Sequence, residues 1–143
     1  MRRSVTRAVA ALLTGKWLLV LAVVEVGLRL FPLPRLCRLL GVRLDLESGG
    51  PATGVWPVPQ VFGRTARAVL RATRWWPFGD TCLRRCLLLA RALREFSPII
   101  RIGVRREENG AFSAHSWLEV GGASLDPMSD RFATLAAAGA DPR

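Results

Sequence analysis

The stretch Thr81-Cys82-Leu83-Arg84-Arg85-Cys86-Leu87-Leu88-Leu89-Ala90-Arg91-Ala92-Leu93 is followed, after Ser97-Pro98, by Ile99-Ile100-Arg101-Ile102-Gly103-Val104-Arg105. The apolar period changes between the two. In the first, Leu83, Cys86, Leu87, Ala90 and Leu93 recur at i, i+3, i+4, i+7 and i+10, which predicts an amphipathic helix starting at Thr81 or Cys82. The second reads as a strand. Glu107-Glu108-Asn109-Gly110 carries the Asn-Gly hairpin signal. Phe112–Val120 is then a second strand, Gly121-Gly122 a tight turn and Ala123–Asp126 a third short strand. Phe132–Leu135 is expected to add a last helical turn, and the Ala-Gly tail beyond it is expected to fray.

Upstream the chain reads as helical. An apolar helix ends near Phe31-Pro32-Leu33-Pro34, because proline disfavours helix at the residue before it. A short helix, Arg35–Leu40, stops at Gly41. Leu46–Pro59, with Ser48-Gly49-Gly50-Pro51, is a loop. A third helix runs from about Pro59 to Trp75, with Phe62, Ala66, Val69, Leu70 and Thr73 on one face and Arg64, Arg67, Arg71 and Arg74 on another. Trp75 and Trp76 are expected to pack beside Pro77. Helices followed by an antiparallel meander make the fold class α+β. Residues 1–45 form an N-terminal helical segment that packs on the domain or a partner, and residues 46–143 form the core of a single domain.

The chain has 143 residues, half of them hydrophobic, so it can bury a core and is not a disordered basic tail. The net charge is +10, and of the 21 basic residues only Lys16 is lysine. Arginine suits carboxylate and phosphate partners. Nucleic-acid binding would need exposed aromatics among the basic residues or a known reader motif, and neither is present. Three cysteines, Cys37, Cys82 and Cys86, are too few and too odd a number for a disulfide scaffold, which points to a reducing, cytoplasmic setting. They and the lone His115 lack paired ligand spacing, so no metal is expected. No phosphate-binding glycine motif appears, and no cofactor is expected. Lys16, Glu25 and Arg29 interrupt the apolar stretch 8–31, leaving charge-free runs of only eight residues. This favours a helix buried against the domain or a partner over a spanning one; contact with a membrane surface is the alternative.

Chemistry concentrates at a few residues. Cys82 falls in the first turn of its helix, with Asp80 or Thr81 as N-cap, and helix N-termini favour anionic side chains, thiolates among them. Alternation puts Phe112, Ala114, Ser116, Leu118 and Val120 on one strand face as core. His115, Trp117 and Glu119 then face a cleft or solvent. A thiol at a helix start, an imidazole on a strand and a later carboxylate, Asp126, fit thiol–imidazole catalysis. The plainer reading makes Cys86 and Cys37 core residues and His115 a structural or surface histidine.

The Cys82–Leu93 helix resembles the Cys-Leu-x-Arg-(Ser/Ala)-Leu-x-Leu helix of lasso-peptide B proteins, which are transglutaminase-like cysteine peptidases. Arg101–Arg105 resembles a strand of those proteins, and Ala114–Gly122 resembles their Ala-His-Ala-Trp-Val-Glu-Val-Asp-Gly strand and turn. Trp76-Pro77 and the Phe31–Leu36 segment with Gly41 are similar as well. The resemblance implies a papain/transglutaminase-like fold and removal of the leader from a lasso precursor peptide. It casts Cys82 as nucleophile, His115 as base and Asp126 as orienting carboxylate. Asp130 is the substitute, because the register after Gly121-Gly122 looks one residue short. Ser116 stands where alanine is usual, and Cys86 where serine or alanine is common. The peptidase-like pattern fills the chain, so a separate leader-recognition protein (B1) is an expected partner, with the asparagine-synthetase-like cyclase as another. The basic, apolar N-terminal half is the expected docking surface. An acyltransferase using the same cysteine and histidine, or a non-catalytic adaptor of the maturation complex, are the alternative functions.

Overall fold

A computed structural model of the chain describes residues 2–47 and 52–135. The expectations for Ser48–Pro51 and for the Ala-Gly tail fall outside the described residues. Helix α1 (Arg2–Leu30) turns at Pro32 into α2 (Leu33–Leu40). Gly41, at φ 67°, caps α2 in the left-handed region, and the next N–H, of Val42, donates back to the Cys37 carbonyl at 2.9 Å. Strand β1 (Arg43–Leu44), a 3-10 turn at Gln60–Phe62, α3 (Gly63–Arg74) and α4 (Cys82–Ala92) follow. The sheet is completed by β2 (Ile99–Arg106), β3 (Phe112–Val120), β4 (Ala123–Ser124) and β5 (Ala133–Thr134).

The sheet order is β1-β2-β3-β4, with β5 also on β2. The β2–β3 and β3–β4 pairs are antiparallel, as the sequence pattern predicts. Two short strands depart from that pattern. β1 pairs in parallel with Ile99 and Ile100, and β5 pairs with Gly103 and Val104. The Phe132–Leu135 segment, expected to be helical, is therefore partly strand; a 3-10 turn, Ser129–Arg131, precedes it. Gly103 makes this possible, since a Cβ there would stand 2.6 Å from the Ala133 carbonyl oxygen and 2.8 Å from the Trp117 ring.

One hydrophobic cluster joins Trp17, Leu21 and Val24 of α1 to Leu36, Val69, Leu87, Leu88, Ile100 and Leu118. The N-terminal helices and the sheet thus share one core. α4 lies at its centre, with β2 and β3 on one side and α1 and α3 on the other. That placement buries Leu88, which stands off the single apolar stripe read from the sequence. The other side of α1 leaves Leu12, Leu19, Val23, Val26 and Leu30 exposed. Its Thr6–Leu30 portion is long and apolar enough to cross a membrane by length and composition. On α3, Arg64, Arg67 and Arg74 are exposed, whereas Arg71 donates from Nε to Thr14 Oγ1 at 3.1 Å.

The two faces of β3 correct the alternation reading. Phe112 and Ala114, expected in the core, are exposed because the hairpin runs beyond α4. Trp117 and Glu119, expected toward a cleft or solvent, are buried. Segments 52–55 and 126–134 fold over that face. Glu119 Oε1 accepts from the Trp117 indole N–H at 2.9 Å, and its Oε2 pairs with Arg101 at 3.0 Å. Arg101 reaches Asp45 as well, at 2.9 Å. Burial of charge is tolerable here because each charged group is paired and hydrogen-bonded.

Candidate active site

Thr81 caps α4, its Oγ1 accepting from the Arg84 N–H at 3.4 Å. Cys82 is therefore the first residue of the helix, where backbone N–H groups have no intrahelical partner. The turn before it is held from behind. Arg84 Nη1 donates to the carbonyls of Phe78 at 3.1 Å and Gly79 at 3.4 Å, while its Nε donates to Glu25 Oε2 at 2.8 Å. Glu25 is buried on α1 and also receives Arg29 at 3.1 Å and the Trp76 indole N–H at 3.4 Å. The hydrogen bond from Arg84, helped by the charges of Arg84 and Arg29 and by Trp76, holds the Glu25 carboxyl below its usual range despite burial. Arg85 pairs with Asp80 at 2.6 Å.

From sequence, Glu25 and Arg29 are an i,i+4 pair interrupting an apolar helix. Arg84, the third member, is legible only as a motif residue. The signal was present, because a carboxylate inside an apolar helix needs a buried cation, and Arg84 sits two residues from the thiol. Of the two tryptophans expected to pack beside Pro77, Trp75 is 68% exposed, whereas Trp76 packs against the core.

His115 is partly buried and packs against Phe132, with ring centroids 4.9 Å apart. Its Nε2 lies 2.6 Å from Asp126 Oδ2. Donation from Nε2–H to the carboxylate fixes the neutral ring in the tautomer that leaves Nδ1 as an acceptor. The carboxylate is positioned by its neighbours. Asp126 Oδ1 accepts from the Met128 N–H at 2.8 Å, and the Asp126 N–H donates to the buried Ser124 hydroxyl at 3.0 Å. The short register after Gly121-Gly122 is resolved by leaving the sheet early. β4 is only two residues long, Leu125 N–H donates to the Leu118 carbonyl, and the chain swings Asp126 onto His115. Asp130 is exposed in the following 3-10 turn and makes no bond to His115.

Cys82, His115 and Asp126 line one cavity of about 340 Å³. The thiol and the imidazole are not hydrogen-bonded to each other there; such contacts are often long in unliganded sites. Cys86 lines the same cavity from the next helical turn, but its Sγ donates to the Ser116 carbonyl at 3.2 Å. Burial pushes its thiol up to about 12, and that of Cys37 up to about 11. No group of three or more His, Cys, Asp or Glu among the described residues is arranged to hold a metal. The arrangement can perform acyl transfer through a thiol, with an imidazole to move the proton and a carboxylate to orient it.

No curated protein and no solved structure matches the chain. A family model for the transglutaminase-like superfamily matches residues 19–137, starting inside α1 and running past β5. This fold is consistent with acyl chemistry of the cysteine-protease or acyltransferase type. With most of its length matched, the chain belongs to the transglutaminase-like superfamily.

Proposed function

We propose that the protein is a cysteine peptidase that removes the leader from a lasso precursor peptide. It works with a separate leader-recognition protein (B1) and hands the freed core to an asparagine-synthetase-like cyclase. The observation that carries the reading is the 2.6 Å His115–Asp126 contact on the same cavity wall as Cys82. The lasso assignment within the superfamily is supported by the motif resemblance around Cys82, Arg101–Arg105 and His115.

In the first half-reaction His115 Nδ1 takes the proton from Cys82 Sγ. The thiolate forms a bond to the scissile carbonyl carbon, and the carbonyl electron pair moves to oxygen. In this reading N–H groups at the start of α4, which lack intrahelical partners, receive that oxyanion. Collapse of the intermediate breaks the C–N bond, and the proton on Nδ1 leaves with the amine of the core peptide. The acyl-thioester at Cys82 is then attacked by water, whose proton His115 accepts and returns to sulfur. Asp126 keeps the ring oriented and stabilises the imidazolium in both halves.

The test is incubation of purified protein with a precursor and its recognition protein, followed by mass analysis. The expected products are a leader ending in a free carboxylate and a core with a free amine, neither formed by Cys82→Ala. A leader joined to an added amine would instead favour acyl transfer. Maturation left unchanged in His115→Ala would favour an adaptor.

A further inference from the structure

Helix α1 has two sides, and the core uses only one of them. Trp17, Leu21 and Val24 are buried in the shared cluster. On the other side Val9, Leu12, Leu19, Val23, Val26 and Leu30 are each at least 39% exposed. Together with Lys16, these positions step alternately by three and four residues. That spacing draws one line along a helix, here over about 32 Å at a rise of about 1.5 Å per residue. A contiguous exposed apolar surface of this length marks an interaction site.

The charges around the line identify what covers it. At its start, Val9 borders a groove with Arg64 and Arg67 of α3, both exposed and without an ion pair among the described residues. Lys16 is exposed in the middle. At its end, beside Leu30, the Arg29 guanidinium lies 5.0 Å from the ring of Phe78, itself 55% exposed. Residues 1–79 hold twelve basic side chains and three acidic ones, and the one acid of α1, Glu25, is buried and engaged by Arg84 and Arg29.

A helix of a second copy laid along this line would bury Lys16 without an acid to meet it, and would press two strongly positive surfaces together. A phosphate-rich lipid surface carries neither cost. The Lys16 stem can lie along the apolar side chains while its ammonium reaches a headgroup phosphate. Crossing the bilayer is a different matter, because it would strip Leu21 and Val24 from the core and carry the 2.8 Å Glu25–Arg84 pair into hydrocarbon.

We propose that the outer side of α1 is a docking surface for an anionic lipid bilayer, with the helix lying in the membrane plane. Its apolar line enters the acyl boundary, and Lys16, Arg29, Arg64 and Arg67 meet lipid phosphates. No residue of α1 lines the Cys82 cavity, so the inference goes beyond the peptidase reading and does not rest on it.

Flotation of the full-length protein with vesicles tests this without requiring turnover. Vesicles of equal parts phosphatidylglycerol and phosphatidylcholine are expected to bind it at least about tenfold more tightly than phosphatidylcholine alone, and salt at about 1 M should weaken the difference. Arg64→Gln/Arg67→Gln should lower the affinity by about tenfold. Leu12→Gln/Leu19→Gln/Val23→Gln, which alters only exposed positions and keeps the charge, should lower it by at least about tenfold with the circular dichroism spectrum unchanged. Equal binding to both vesicles, or folded variants that bind as the unaltered protein does, overturn the proposal. Failure to float with either vesicle also overturns it and leaves the face to an acidic protein partner. A dimer seen by sedimentation without lipid, and made monomeric by the triple glutamine variant, overturns it in favour of a second copy.

Discussion

Cys82 and Cys86 lie one turn apart on the same helix and line the same cavity, yet the fold gives them different surroundings. Cys82 occupies the first turn, half-buried, beyond the reach of the intrahelical hydrogen-bond ladder and on the cavity wall it shares with His115. Cys86 is buried, donates its S–H in a hydrogen bond to the Ser116 carbonyl and is held as a thiol by desolvation. A displacement of four residues separates a candidate nucleophile from a packing group. Reactivity is set by helix end, exposure and neighbours rather than by residue type.

That contrast is broken most sharply by removing each sulfur. Cys82→Ala is expected to reduce leader cleavage by at least about a thousandfold with the fold intact by circular dichroism. Cys86→Ala should keep most of its turnover and lose on the order of 1–2 kcal/mol of stability in a urea titration, the cost of a small buried void. The next effect belongs to the imidazole. Asp126→Asn lets the ring adopt the wrong tautomer, and kcat should fall by about a hundredfold or more with KM little changed. The same change at exposed Asp130 should leave kcat within about twofold, which sharpens the choice between the two carboxylates.

The support behind Cys82 comes next. Glu25→Gln removes the charge that Arg84 meets in the core and should cost about 3 kcal/mol, read from the denaturation midpoint. The same carboxyl supplies a pH signature. Its folded pKa lies below the unfolded value of about 4.5, so its stabilisation is fully present above that pH. The stabilisation is lost as pH falls toward the lower folded value. Glu25→Gln should abolish that part of the acid limb in melting curves taken between about pH 5 and pH 3. The smallest effect expected is a gain. Ser116 Oγ is buried with no hydrogen-bond partner among the described residues, so Ser116→Ala should raise stability by about 1 kcal/mol.

Local periodicity made α4 and the β2–β3 hairpin legible in the sequence, because both elements are set by spacing within a dozen residues. Cys82 at the helix start followed from the same reasoning together with its N-cap. The missing parts depend on distant chain. β1 and β5 are two residues each, too short to show a period, and exist because β2 offers an edge and Gly103 admits Ala133. Burial of Trp117 and Glu119 required knowing that segments 52–55 and 126–134 return over the sheet. The Glu25–Arg84 pair joins residues 59 positions apart, and a helical wheel shows only one of its partners. Asp126 is legible in the sequence as a later carboxylate, but the early exit of β4 that brings it to His115 is a tertiary outcome.

Cysteine mapping after limited alkylation addresses the central claim directly. The native protein is treated with iodoacetamide at neutral pH, digested and sequenced by mass while leader cleavage is measured in parallel. The account predicts alkylation at Cys82, with Cys86 and Cys37 unmodified, and loss of cleavage in proportion to the modified fraction. Alkylation that falls first on Cys86, or cleavage that persists with Cys82 fully modified, would contradict it.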